Sequence, residues 1–251
     1  IQLTGSEDDL AVLEELKFAT TEIASFGEIN GELVDRLDLT LGLRLVNSWI
    51  VTELAVGDDG EIDPRRQEFR VMPTVALGYR LDDDWYAYAR YQEGFRSGGT
   101  SIAGDSVDDR EIENFDADEV GFFEAGIRGA LPALGVTNIS LSLSYAQWED
   151  IQSDIIDADG FPFTTNVGTG DIYSANVALT ARPWQGFEIE TRAFLSSSDT
   201  VPKDGGILAE EGEFPNIPEL GFTVTARQTL FEVDQSRLRI GTDYTLVGES
   251  M

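Results

Sequence analysis

Leu37-Asp38-Leu39-Thr40-Leu41-Gly42-Leu43-Arg44-Leu45-Val46 carries leucine at every odd position and Asp, Thr, Gly, Arg and Val at the even ones. Successive side chains of a strand point to opposite faces, so this segment has one pure leucine face and one mixed polar face. A helical stripe would need spacings of three and four, which are absent. The strand extends over residues 37–56, long beside the ~5–6 residues usual in soluble domains. The fold therefore turns on what the leucines touch: a second packed sheet, or lipid.

The same period of two recurs on both sides. A first strand is expected over residues 17–28, ended by the turn-forming pair Asn30-Gly31. After an acidic segment at 57–64, a third strand over 69–81 sets Val71, Pro73, Val75, Leu77, Tyr79 and Leu81 against Thr74, Ala76, Gly78 and Arg80. Asp82-Asp83-Asp84 turns it into a fourth, over 85–95, followed by a Gly-, Ser- and Asp-rich stretch over 96–116. The fifth, over 118–131, opposes Phe123, Ala125 and Ile127 to Glu124, Gly126 and Arg128. In the sixth, Ile139, Leu141, Leu143 and Tyr145 alternate with Ser140, Ser142 and Ser144. Trp148 would turn inward by the same alternation unless a bulge intervenes, so its side stays open.

A seventh strand over 164–182 passes through Pro183-Trp184-Gln185-Gly186 into an eighth, in which Phe187, Ile189 and Leu195 oppose Glu188, Glu190 and Arg192. A long loop over 197–218 precedes the ninth, with Phe222, Val224 and Ala226. The tenth opposes Leu238, Ile240, Tyr244 and Leu246 to Arg237, Arg239 and Asp243. Connections alternate short and long, acids and glycines gather in the long ones, and the apolar faces hold no charge. Outer-membrane barrels have short periplasmic turns, longer outer loops, an apolar exterior and a polar lumen. A soluble sandwich with one wetted face also alternates, so strand length and loop asymmetry tilt the reading toward a membrane barrel.

Composition narrows function. Among 251 residues, 17 are basic and 47 acidic, a net charge of -30. That excludes a nucleic-acid partner, since phosphate binding rests on clustered Lys and Arg. Cys and His are both absent, which removes thiol and histidine catalysis and most zinc sites. No catalytic residue, metal ligand or cofactor is expected, and the chain reads as no enzyme. Asp157-Ala158-Asp159-Gly160 starts like a calcium loop, but Pro162 and Gly168 stand where an EF-hand needs glycine and glutamate. No apolar run reaches the ~18 residues of a transmembrane helix, which leaves a barrel untouched.

Tyr79-Arg80-Leu81-Asp82-Asp83-Asp84-Trp85-Tyr86-Ala87-Tyr88-Ala89-Arg90-Tyr91-Gln92-Glu93-Gly94-Phe95-Arg96-Ser97-Gly98-Gly99 resembles a strand of the TonB-dependent outer-membrane receptor barrel, with its Gly-Phe-Arg and glycine pair. Phe26-Gly27-Glu28, Glu124-Ala125-Gly126-Ile127-Arg128, Trp148-Glu149-Asp150-Ile151-Gln152 and Thr165-Asn166-Val167-Gly168 fall in the order and spacing of that family. Ser97, where proline is common, and Ser174-Ala175-Asn176, where Gly-x-Glu is usual, depart from it.

The resemblance implies an all-β fold: an antiparallel transmembrane β-barrel segment of about ten strands from a barrel of about 22. It implies one domain over residues 1–251, read as an internal part of the barrel without plug or last strands, in the bacterial outer membrane. The implied partners are outer-membrane lipid, the TonB complex through the missing plug, and a small nutrient such as a ferric siderophore, vitamin or saccharide. The implied function is energy-coupled uptake of that nutrient. A soluble β-sandwich or lectin-like module and a passive porin are the alternatives. Phe95 and Arg96, at the outer end of the fourth strand, are the candidate ligand contacts, set against a plain strand-end role. Trp49 above, and Tyr79, Trp85 and Trp184 below, are expected at the membrane interfaces, where amphipathic rings settle.

Overall fold

The computed structural model describes residues 3–4, 11–12, 14–56, 61–62, 65–103, 111–156, 160, 162–203, 217–233 and 235–248. Ten long strands form one antiparallel sheet: β1 (Glu14–Val34), β2 (Leu37–Val56), β3 (Arg65–Arg80), β4 (Trp85–Arg96), β5 (Asp118–Leu131), β6 (Val136–Ile156), β7 (Pro162–Ala181), β8 (Phe187–Pro202), β9 (Leu220–Val233) and β10 (Ser236–Val247). Each pairs with its neighbours in sequence, an up-and-down meander with β1 and β10 at the edges. The strands run 12 to 21 residues.

Strand existence follows the period of two closely; boundaries follow it less well. Asn30-Gly31 is not a turn: Asn30 pairs with Thr40 and Gly31 with Leu39, and the chain reverses at Asp35-Arg36. Arg36 takes the left-handed conformation there, with φ at 67°, and the Glu32 carboxylate accepts its N–H at 2.9 Å. The long-range ladder with the leucine strand outweighs the local turn preference of Asn-Gly. At the next turn, the Asp82 carboxylate accepts the N–H groups of Asp84 and Trp85 at 2.9 and 2.8 Å, a local closure typical of aspartate.

Register assigns the faces. Leu41 pairs with Ile29 and Val75, Val75 with Tyr91, and Tyr91 with Phe123. Paired residues share a face, so the apolar positions of all these strands form one continuous surface. It is solvent-facing in the isolated sheet: Leu41, Leu143 and Ile240 are 47%, 61% and 61% exposed. A packed second sheet would have buried them. No such layer exists among the described residues, of which only eight apolar side chains are buried.

An unbroken aromatic row crosses this face. Tyr91, Phe123, Tyr145 and Tyr173 sit on four adjacent strands, with successive ring centroids 4.4, 6.4 and 5.0 Å apart. Directly beyond it the same face turns acidic, with Glu93, Glu119, Glu149, Asp171 and Asp199 in adjoining registers. Tyr91 donates its hydroxyl to Glu93, and Tyr145 donates to Asp171 at 2.6 Å. Rings below and carboxylates above mark the upper limit of the hydrocarbon-facing band. At the other end, Trp184 stacks on Phe187 at 4.2 Å and donates its indole N–H to Gln228.

The short turns between β1 and β2, β3 and β4, β5 and β6, β7 and β8, and β9 and β10 all lie at one end of the sheet. The acidic stretches at 57–60, 104–110, 157–159 and 204–216, including Gly104 and Gly206, lie outside the described residues. Their flanking strands end at the opposite edge. A cysteine replacing exposed Lys203 or Gly160 should therefore react with an impermeant maleimide on intact cells, and one replacing Asp83 only after permeabilisation. Labelling of Asp83→Cys from outside would invert this topology.

Candidate functional site at the outer mouth

The sheet is not sealed along its whole height. Pairing between β3 and β4 stops at Thr74 with Gln92, immediately before Pro73, which has no N–H to donate to a ladder. Beyond that point β3 pairs only with β2, and β4 only with β5. The parting begins at the level of the aromatic row, where β4 leaves the apolar band. Unpaired backbone is tolerated where water or side chains can satisfy it, not in hydrocarbon.

Side chains bridge the seam instead. Arg66 donates to the Phe115 carbonyl and to the Asp116 carboxylate, each at 2.8 Å. Glu68, buried, pairs with Arg66 at 2.9 Å and accepts the N–H of Gly98. Arg70 reaches Glu119 at 3.1 Å.

Past Arg96 the chain folds inward. Gly99–Ala103 pairs with Glu111–Phe115 as a separate hairpin, within the stretch that the sequence presents only as a loop. It approaches β2 and β7 across the inner face and covers Val46, Ser48 and Ile50, which are 0%, 0% and 5% exposed. The paired glycines are there for space. A Cβ on Gly98 would meet the Phe115 carbonyl oxygen at 2.5 Å, and one on Gly99 would meet the Phe115 ring at 2.5 Å.

A polar knot ties the hairpin to the wall. Arg96 donates through Nε and Nη2 to the buried Asp118 carboxylate at 3.1 and 2.5 Å, and through Nη2 to the Gln152 carbonyl at 3.0 Å. The Gln152 amide donates back to the carbonyls of Ser97 and Asp116, both at 3.0 Å. Asn166, 7% exposed, accepts the Asp116 N–H at 2.6 Å and donates to the carbonyls of Asp116 and Asp150 at 2.9 and 2.6 Å. The bulge after Trp148, with Asp150 at φ 50°, brings this corner together. Trp148 lies before the bulge and faces inward, packed, like Ile172, against Ile151 and Val167.

Arg96 lines a cleft of about 580 Å³ on the inner wall with Phe26, Arg44, Met72 and Thr74, and Phe95, whose pairing with Glu119 sets its side chain on the opposite face, borders it at the seam. Its volume suits a small-molecule ligand. Phe95 is half-buried at the edge of the seam, and Phe26 is 86% exposed. Arg44 is held by Glu22 at 3.0 Å. Arg96 is committed to the knot on two of its nitrogens, while Nη1 makes no hydrogen bond among the described residues. Gln152 and Asn166 were legible only as family motifs, because their partners lie 16 to 56 residues away. Among the described residues no cluster could hold a metal.

Continuous antiparallel strands, an apolar outer face closed by an aromatic row and a charged inner face define the wall of a transmembrane β-barrel. The chain belongs to the TonB-dependent receptor-like β-barrel family, whose sequence profile matches residues 14–251. Proteins of this family sit in the bacterial outer membrane. No curated protein matches the chain. Among solved structures, the ferric yersiniabactin uptake receptor FyuA of Yersinia pestis matches with a TM-score of 0.75 and 18% identity over 94% of this chain and 35% of its own. The ferric preacinetobactin receptor BauA of Acinetobacter baumannii matches at 0.66, with 19% identity over 97% and 34%. The alcaligin receptor FauA of Bordetella pertussis matches at 0.64, with 14% identity over 93% and 38%. At such identities the likeness is one of fold, and this chain spans about a third of each receptor's length.

Proposed function

We propose that this chain forms part of the wall of an outer-membrane receptor for energy-coupled uptake of a small, scarce nutrient, a ferric chelate first among them. The family match over residues 14–251 carries the reading, and the ligands named for FyuA, BauA and FauA supply the substrate class. In this reading β1 and β10 pair with further strands of the parent wall. Energy arrives from the TonB complex through a plug segment. The free edge of Arg96 contacts the nutrient in the mouth cleft, with Phe95 reaching it at the open seam and Phe26 offering a second apolar surface.

The test is growth and uptake in iron-starved cells carrying the full-length receptor, supplied in turn with hydroxamate, catecholate and phenolate ferric chelates. Uptake of at least one chelate, lost when the energy coupling is removed, is the expected result. Transport of vitamins or saccharides but no chelate overturns the substrate class, and uptake that ignores the coupling points to a passive pore. Phe95→Ala should weaken binding of the transported chelate about tenfold, the order expected for losing an aromatic contact. Its melting temperature should stay unchanged. Unaltered affinity would remove Phe95 from the site.

A further inference from the structure

We propose that the outer, membrane-facing side of β3 to β6 holds one zwitterionic lipid, with an acyl chain in an apolar groove and a phosphoethanolamine headgroup in a polar notch above it. The groove, about 520 Å³, is floored by Ala89 and Ala125 and walled by Leu77 on one side and Leu143 on the other. These four stand in one register row: Leu77 with Ala89, Ala89 with Ala125, and Ala125 with Leu143. Two small side chains between two large ones leave a furrow along the strands. Tyr91 and Phe123 close its upper end, their ring centroids 4.4 Å apart. Tyr91 also lines the notch, about 180 Å³, with Arg70, Glu93, Glu119 and Glu149. Arg70 is in register with Val46 on the inner face, yet it reaches through the seam to Glu119 on the outer one.

Furrow, rings and charges follow one another up the strands in the order of an acyl chain, its ester region and its headgroup. The furrow lies below the aromatic row, inside the hydrocarbon-facing band, so its occupant is a lipid tail or another membrane protein. A stable protein interface draws on about 20–30 residues a side, far more than this groove offers. Charge then chooses the headgroup. Arg70 presents a planar guanidinium to a phosphate, and the carboxylates accept the N–H groups of a primary ammonium, which has three to donate. A purely anionic headgroup would meet three carboxylates and one guanidinium. Among the described residues no acidic cluster could hold a metal ion, so the positive charge is the ammonium of the lipid and not a bridging cation. Each of β3 to β6 has both its neighbours within the chain, and the outer face is independent of whatever fills the lumen.

Native mass spectrometry of the full-length receptor in detergent, titrated with phosphatidylethanolamine or with phosphatidylglycerol of the same acyl chains, tests the site. Saturable retention of phosphatidylethanolamine is expected, at least fivefold above phosphatidylglycerol and without added divalent cation. Ala125→Phe, which fills the furrow, should lower that retention at least fivefold. Ala193→Phe enlarges the same face elsewhere, in register with Val177 and Phe222, and should leave it unchanged. Glu93→Gln should keep a bound lipid but lose most of the preference between headgroups. All three variants should melt like the parent. The readout is lipid retention, so it holds whichever nutrient the mouth accepts. Equal retention of the two lipids, none of either, or full retention by Ala125→Phe overturns the proposal. Phosphatidylglycerol retained only with magnesium also overturns it, by assigning the carboxylates to a metal bridge.

Discussion

Replacing Leu41 by arginine in the full-length receptor is expected to destabilise the wall by about 2–4 kcal/mol, the cost of a basic side chain near the bilayer midplane. Leu41 is the fifth residue of β2 counted from Leu37. At a rise of ~3.3 Å per residue and a tilt of roughly 40°, that places it ~13 Å up an apolar band about 25 Å tall. Its face is the one shared with Val75, Tyr91 and Phe123. Thr40, paired with Asn30 and Ala76 on the other face, should tolerate arginine at far smaller cost, because the lumen already hosts Arg44. Trp49→Arg, beyond the band, should cost only about 0–1 kcal/mol. Equilibrium unfolding of the three variants in lipid vesicles measures the series. Equal penalties at Leu41 and Trp49 would sink the membrane reading, since a dry protein core rejects arginine without regard to depth.

Asn166→Ala is expected to cost about 3 kcal/mol at the outer mouth and to loosen the inward hairpin. Removing its amide strands the Asp116 N–H and the carbonyls of Asp116 and Asp150, all of which it satisfies at 2.6 to 2.9 Å. Each buried polar group left unpaired costs about 1–3 kcal/mol, and entry of water recovers part of that. Hydrogen exchange in Gly99–Ala103 should accelerate, while exchange at the lower, membrane-facing half of β2 stays slow. Gly98→Ala should loosen the same hairpin by another route, since its Cβ would overlap backbone atoms of residues 115–117. Unchanged exchange in both variants would show that the knot and the glycine pair do not hold the hairpin.

The sequence carries most of the barrel because a membrane wall writes its faces into alternate residues. Lipid tolerates no charge along Leu37 to Leu45, Ile139 to Tyr145 or Leu238 to Leu246, and the lumen tolerates nearly anything, so the period of two is legible without a partner strand. Length carries the rest, since long strands are needed to cross a bilayer. Turn positions are less legible. Asn30-Gly31 reads as a reversal on local preference, yet its pairing with Leu39 and Thr40 is set by the leucine strand opposite. Local propensity weighs little against a long ladder.

The mouth was not legible in the same way. Pro73 was visible, but its effect depends on which strand stands beside it. The hairpin after Gly98 was hidden in a stretch of glycine, serine and aspartate, because it is held by contacts with β2, β3, β6 and β7 rather than by its own pattern. Phe95 and Arg96 stand out in the sequence through a family motif, and only the fold shows Arg96 bound to Asp118 and Gln152. The sequence by itself determined the two faces and the ten long strands and leaned toward a membrane over a packed core, because these depend on the solvent each residue meets. The tertiary structure alone decided the seam, the knot and the inward hairpin, because these depend on which distant residues pairing brings within hydrogen-bond reach.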